Sequence, residues 1–167
     1  MNIILIGFMG SGKSTVGQSI SKKLSYNFKE MDAIILQKSG FADMSELFSA
    51  KGEAYLRASE VALSQELRSL SNTVISTGGG VVLNKIIIDN FKTNGVVFYL
   101  NAPFEILTER IAKDPTPRPL FNNITEARIL FKKRLPLYKN LTDHTIDIQG
   151  KSVEEIAEEI TQIYQSL

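Results

Sequence analysis

The chain has 167 residues, 43% hydrophobic and 22% charged, with a formal net charge of +1 at neutral pH. That length suits one domain with a substantial core, and Lys and Arg are too scattered to form the basic stripe that grips nucleic acid. Cysteine is absent and His144 is the only histidine, which excludes disulfides and a Cys/His zinc site. No apolar run approaches a membrane span and the first residues read as a strand, not a signal peptide, so the expectation is a cytoplasmic protein without membrane or nucleic-acid partners.

Strand and helix patterns alternate from the start. Asn2–Ile6 is an apolar run of the kind a buried parallel strand needs, and Val16, Ile20 and Leu24 then recur at helical spacing. Between them lies Gly7-Phe8-Met9-Gly10-Ser11-Gly12-Lys13-Ser14, followed by Thr15, which fits the phosphate-binding pattern G-x-x-x-x-G-K-[ST]. The glycines let successive N–H groups curl into one concavity, and the helix opening near Lys13 adds the positive end of its dipole. Lys13 can reach β- and γ-phosphates as a mobile charge, and the Ser14 hydroxyl can ligate Mg²⁺. An ordinary strand-to-helix turn does not require Lys-Ser after its last glycine. Gly10, Ser11, Gly12, Lys13, Ser14 and Thr15 are therefore candidate nucleotide ligands.

Tyr26–Met31 reads as a second strand ending at Asp32, and Ala33–Lys38 as a helix stopped by Gly40. Met44–Ala50 is a short helix before Gly52, and Glu53–Leu70 a longer one with Leu56, Leu63, Leu67 and Leu70 on one side. Thr73–Ser76 is a third strand running into Gly78-Gly79-Gly80, with a helical segment from there to Lys92. Val96–Leu100 is the fourth strand, after which Pro103 opens a helix carrying Phe104, Leu107 and Ile111 on its apolar face. Three prolines in Asp114–Pro119 interrupt regular structure. A helix resumes at Thr125 as N-cap and runs to about Tyr138, Thr145–Ile148 is the last strand, with His144 at its edge, and Ser152 with Glu155 makes a capping box for Val153–Gln165.

This alternation predicts an α/β protein, with a five-stranded parallel sheet between two layers of helices. Ligands in such sheets bind beyond the carboxyl ends of the strands, here Gly7, Asp32, Gly78 and the residues after Leu100. Asp32 can face an acceptor hydroxyl near the γ-phosphate. The triple glycine offers bare backbone N–H groups. Arg57, Arg118 and Arg134 stand in or near helices adjoining this rim, and converging guanidinium forks point to an anionic acceptor.

GFMGSGKSTVG, the strand end at Asp32, Gly52-Glu53-Ala54-Tyr55-Leu56-Arg57 with Glu60, STGGG, Arg118-Pro119-Leu120 and Lys133-Arg134-Leu135-Pro136-Leu137-Tyr138 together resemble the shikimate kinase family, in that family's order across nearly the whole chain. The resemblance implies a P-loop nucleotide-kinase-like fold over residues 1–167, with acceptor-binding helices at about 33–60 and a mobile lid at about 112–123. It implies ATP and Mg²⁺, transfer to the 3-hydroxyl of shikimate on the route to chorismate and the aromatic amino acids, and a monomer.

Residue by residue, it implies Lys13, Asp32 and Arg118 as the catalytic group, Asp32 orienting the attacking hydroxyl and Arg118 reaching the transferring phosphate from the lid. Arg57 and Arg134 would hold the shikimate carboxylate, with the Gly79 N–H, next to Gly80, lining the same pocket. Arg110 and the 149–153 turn, including Lys151, would border adenine. Ser14 would ligate Mg²⁺, with Glu30 and Ser76 in its water shell. The chain departs from the family's Asp-x-Asp at the second strand end, reading Glu30-Met31-Asp32. The phosphate loop alone also fits a gluconate or nucleoside-monophosphate kinase, and the departure at Glu30 keeps open an ATP-binding module without catalysis.

Overall fold

The computed structural model describes residues 1–114 and 123–167. Arg118 and most of the expected lid lie outside the described residues. Five parallel strands form one sheet: β1 (Asn2–Ile6), β2 (Asn27–Glu30), β3 (Thr73–Ser76), β4 (Gly95–Asn101) and β5 (His144–Asp147), in the order β2-β3-β1-β4-β5. Ile4 of β1 sits opposite Ile75 of β3 and Val97 of β4, and Leu5 opposite Ser76 and Phe98. All five residues of β1 are buried, as a central strand covered on both faces requires.

The helices are α1 (Lys13–Leu24), α2 (Met31–Ser39), α3 (Met44–Leu67), α4 (Lys85–Lys92), α5 (Phe104–Ala112), α6 (Ile124–Leu141) and α7 (Val153–Gln165), with a 3₁₀ turn at Val81–Leu83. α1 packs on α7, and α3 packs on α4. The chain builds β2 and β3 on one side of β1 and then crosses to place β4 and β5 on the other. That reversal opens a crevice at the carboxyl end of β1, where the phosphate-loop sequence emerges.

Several element boundaries differ from the sequence expectation for local reasons. Asp32 lies in the first turn of α2, because the strand stops at Glu30 and the helix begins at once. The two helices expected around Gly52 run on as α3, broken only there by φ 78° and ψ 173°, and the helix ends at Leu67, short of Leu70. Gly52 permits that break because it has no Cβ. α6 starts one residue before Thr125, since the Asn123 side chain accepts from the Glu126 N–H at 2.7 Å and takes the cap. It also continues through Pro136 to Leu141. The capping box at Ser152 forms as expected. His144 lies in the edge strand β5, stacked on Phe98.

Asn2 is a buried polar residue that joins two strands of the sheet. Its side chain donates to the Leu70 carbonyl at 2.7 Å and accepts from the Thr73 N–H at 3.1 Å, tying the start of β1 to that of β3. Asn2→Ala leaves the Thr73 N–H buried without a partner. We expect a loss of about 2 kcal/mol, or roughly 4–8 °C in Tm, in thermal unfolding followed by circular dichroism. A shift under about 1 °C would show that water replaces the amide.

Candidate active site

β1 delivers the phosphate loop to the crevice. Gly10 and Gly12 take φ of 80° and 84°, in the left-handed region that favours glycine. Phe8 anchors the loop from below, fully buried, with its ring edge-on to Phe131 at 5.3 Å and 6.4 Å from Phe104. Lys13 curls back over the loop. Its Nζ donates to the Gly7 and Phe8 carbonyls at 2.9 and 3.1 Å and to Ser11 Oγ at 3.4 Å.

Three oxygen-bearing side chains from separate elements meet beside the loop. Ser14 Oγ lies 3.5 Å from Ser76 Oγ at the end of β3, and Ser76 donates to Glu30 Oε1 at the end of β2, at 3.0 Å. Burial raises the Glu30 carboxyl above the usual carboxylate range, hydrogen bonds from Ser14 and Ser76 draw it back, and the Asp32 charge adds to the rise.

A cavity of about 550 Å³ opens over these groups. Gly10, Gly12, Lys13, Ser14, Thr15 and Arg110 line it on behalf of the loop. Asp32, Arg57, Gly79, Gly80 and Arg134 line it as well, so the two predicted sets share one space. Ser11 is buried within the loop and Lys151 pairs with Glu159 at 2.6 Å, and neither is among the cavity-lining residues.

The triple glycine is where the second set is assembled. A Cβ at Gly78 would come within 2.9 Å of both Asp32 Oδ1 and Glu60 Oε1, and one at Gly80 would fall inside the Arg57 guanidinium. Arg57 is held from both directions along α3. Its Nη1 donates to the two Glu60 oxygens at 3.0 and 2.9 Å, and Nε and Nη2 donate to Glu53 Oε1 at 3.3 and 3.0 Å. Burial works against the Arg57 charge, but the two carboxylates outweigh it and raise the pKa. For Glu60, only 1% exposed, burial dominates over the arginine and holds its carboxyl above the usual range.

Arg134 is unlike Arg57. It is 2% exposed, and its Nε has no hydrogen-bond partner among the described residues. Burial lowers its pKa, the Tyr138 hydroxyl offsets part of that, and the Arg57 charge pushes in the same direction as burial. Two cations thus converge on one cavity, and among the described residues only the first has carboxylates bonded to it.

Glu60 is the site residue with no role assigned from sequence, although it lines the cavity and its spacing three residues after Arg57 puts it on the same side of a helix. What the sequence does not carry is its burial. Among the described residues no group of three His, Cys, Asp or Glu side chains is placed to cage a metal.

A sequence model of the family described as shikimate kinase matches residues 9–165. The chain belongs to the shikimate kinase family. A shikimate kinase of Thermodesulfovibrio yellowstonii is 41% identical over 169 residues, covering 99% of this chain and 96% of that one. One from Caldanaerobacter subterraneus is 39% identical, covering 99% of this chain and 97% of its own. A shikimate kinase from Acinetobacter baumannii, solved in complex with shikimate, superimposes with a TM-score of 0.92 at 33% identity, over 99% of this chain and 93% of that one. A Sinorhizobium meliloti gluconokinase (TM-score 0.59, 17% identity) and a Mycoplasma mycoides deoxyadenosine kinase (0.68, 21%), the latter solved with products bound, share the fold alone with this shikimate kinase family member.

Glu30 gives the site a pH signature. A carboxyl whose folded pKa lies above its unfolded value of about 4.5 contributes stability that is fully present below pH 4.5 and lost as the pH rises through the folded value. We expect Glu30→Gln to melt above the parent at pH 7 when no ligand is added, with the gap closing below pH 4.5. Equal Tm values across that range would mean that Glu30 ionises without penalty.

Proposed function

We propose that the protein transfers the γ-phosphoryl group of ATP to the 3-hydroxyl of shikimate, giving shikimate 3-phosphate and ADP. The observation that carries this reading is the single cavity that joins the phosphate loop to Asp32, Arg57 and Arg134. Two guanidinium groups in one cavity, with the Arg57 charge disfavouring that of Arg134, make a site that an anionic acceptor neutralises, and a carboxylate accepts their fork geometry.

The phosphate loop and Lys13 bind the triphosphate, Lys13 exchanging the Gly7 and Phe8 carbonyls for phosphate oxygens. Arg57 and Arg134, with the Gly79 N–H, bind the acceptor carboxylate, and Arg110 borders the nucleotide. Asp32 aligns the attacking hydroxyl and receives its proton as the bond to phosphorus forms. The transition state is loose, so positioning and charge neutralisation contribute more than base strength. Ser14, Ser76 and Glu30 supply hard oxygen donors at the loop, and that set fits Mg²⁺, which takes one or two protein oxygens and keeps several waters. Bound there, the ion would offset charge on the phosphates.

Asp32→Asn is expected to lower kcat by about 10²- to 10⁴-fold while ATP still binds. Near-parental turnover would remove Asp32 from the chemistry. Arg57→Ala and Arg134→Ala should each raise the shikimate KM with little change in that for ATP, and an unchanged shikimate KM in both would clear them from the acceptor pocket. A coupled ADP-release assay with MgATP and a panel of shikimate, gluconate, nucleoside monophosphates and no acceptor tests the reaction itself. Release with shikimate alone is the expected result. Release with another acceptor would keep the kinase and discard the pocket, and binding without turnover would favour a nucleotide-binding module.

A further inference from the structure

Tyr138 is quoted in the sequence pattern but has no task in the reaction above. It lies on α6 one turn beyond Arg134, fully buried, with its ring stacked on Tyr99 at 5.0 Å and 11°. Its hydroxyl donates to the Gly79 carbonyl at 2.5 Å, across 59 residues of chain, and the Arg134 charge acts on it. A Cβ built on Gly79 would sit 3.6 Å from Tyr138 Oη and 3.5 Å from Arg134 Nη1, so the glycine, the arginine and the phenol meet at one point. Burial keeps the phenol protonated far above neutral pH, so it remains a donor.

That donor decides which way a backbone oxygen faces. The other two carbonyls of the triple glycine are committed locally, Gly78 accepting from the Val81 N–H at 3.3 Å and Gly80 from the Leu83 N–H at 3.0 Å. The Gly79 carbonyl is bound instead by Tyr138. The Gly79–Gly80 peptide is trans, so fixing that carbonyl also fixes the Gly80 N–H on the opposite side of the peptide plane. Among the described residues the Gly79 and Gly80 N–H groups make no backbone hydrogen bond. Glycine imposes little preference of its own on this peptide. With no phenol to hold it, the carbonyl is free to turn toward the cavity, where its negative end would oppose a bound carboxylate.

Resting on the reading of the acceptor pocket given above, we propose that Tyr138 is a positioning residue for recognition of the acceptor's carboxylate, holding the Gly79 carbonyl away from that group. The effect is specific to an acceptor that carries a negative charge at this end.

Tyr138→Phe removes the hydroxyl and keeps the stacked ring. With shikimate we expect the KM to rise about tenfold, the worth of one buried hydrogen bond and its consequences, while the ATP KM stays within about twofold. The deciding quantity is the ratio of kcat/KM for shikimate to that for its analogue with a hydroxymethyl group in place of the carboxylate. It should fall by about tenfold in the variant, and it is insensitive to any loss of folded enzyme because both acceptors see the same preparation. Tyr99→Phe, which deletes a hydroxyl from the same stacked pair but not the one on Gly79, should leave the ratio unchanged. A ratio unaltered by Tyr138→Phe, or lowered equally by Tyr99→Phe, overturns the assignment while the pocket stands. If the parent enzyme fails to phosphorylate shikimate, the pocket reading itself is wrong and this inference falls with it.

Discussion

The half of the cavity around Arg57 and Arg134, proposed above for the acceptor, depends on a stretch of backbone that carries no side chains. At the end of β3, Gly78 admits two carboxylates, Gly79 a buried arginine and a phenol, and Gly80 a second guanidinium. Any Cβ at the outer two positions would displace a charged group that is itself tied down by neighbours. Close approach of ionic side chains to bare peptide is therefore the constraint, and the surrounding helices are arranged to satisfy it. α2 contributes Asp32, α3 contributes Arg57 and Glu60, and α6 contributes Arg134 and Tyr138. Of these elements only α3 runs directly into β3, while α2 and α6 lie further along the chain on either side, so the site is assembled only when sheet and helices have come together.

The nucleotide side is organised differently. There the loop residues are contiguous, from the end of β1 to the first turn of α1, with Lys13 on the loop's own carbonyls above and Phe8 seated below on Phe104 of α5 and Phe131 of α6. One half of the cavity is thus a local motif fixed by a few residues, and the other a convergence fixed by the fold. Shared architecture with kinases of other acceptors is what such a division produces, since the first half can be kept while the second is rebuilt.

The same division governs what could be read before the structure. The phosphate loop was legible because glycines, lysine and hydroxyl occur at a fixed spacing between a strand pattern and a helix pattern. The Ser152 capping box was legible for the same reason, its partners lying three residues apart. The break at Gly52 could be placed, though not that α3 resumes beyond it in the same helix. Arg57 and Arg134 were recoverable as candidates from charge and family pattern. What each one pairs with was not, since the carboxylate burial of Glu60 and the phenol contact of Tyr138 are set by tertiary packing. The cap at Asn123 was misread because Thr125 is an acceptable cap residue and the competition between them is decided by backbone geometry.

The two arginines of the cavity have unequal histories open to them. Arg57 is bonded to a buried carboxylate, so losing it strands Glu60 and burdens folding as well as recognition. Arg134 is buried with an Nε that has no partner among the described residues, and an apolar residue of similar volume in its place removes a desolvated charge. A gene copy released from selection for its present acceptor would therefore shed Arg134 before Arg57, keeping a well-folded protein with half of the proposed anion clamp. The route by which such a scaffold drifts toward a new substrate is biased by where its internal counterions lie.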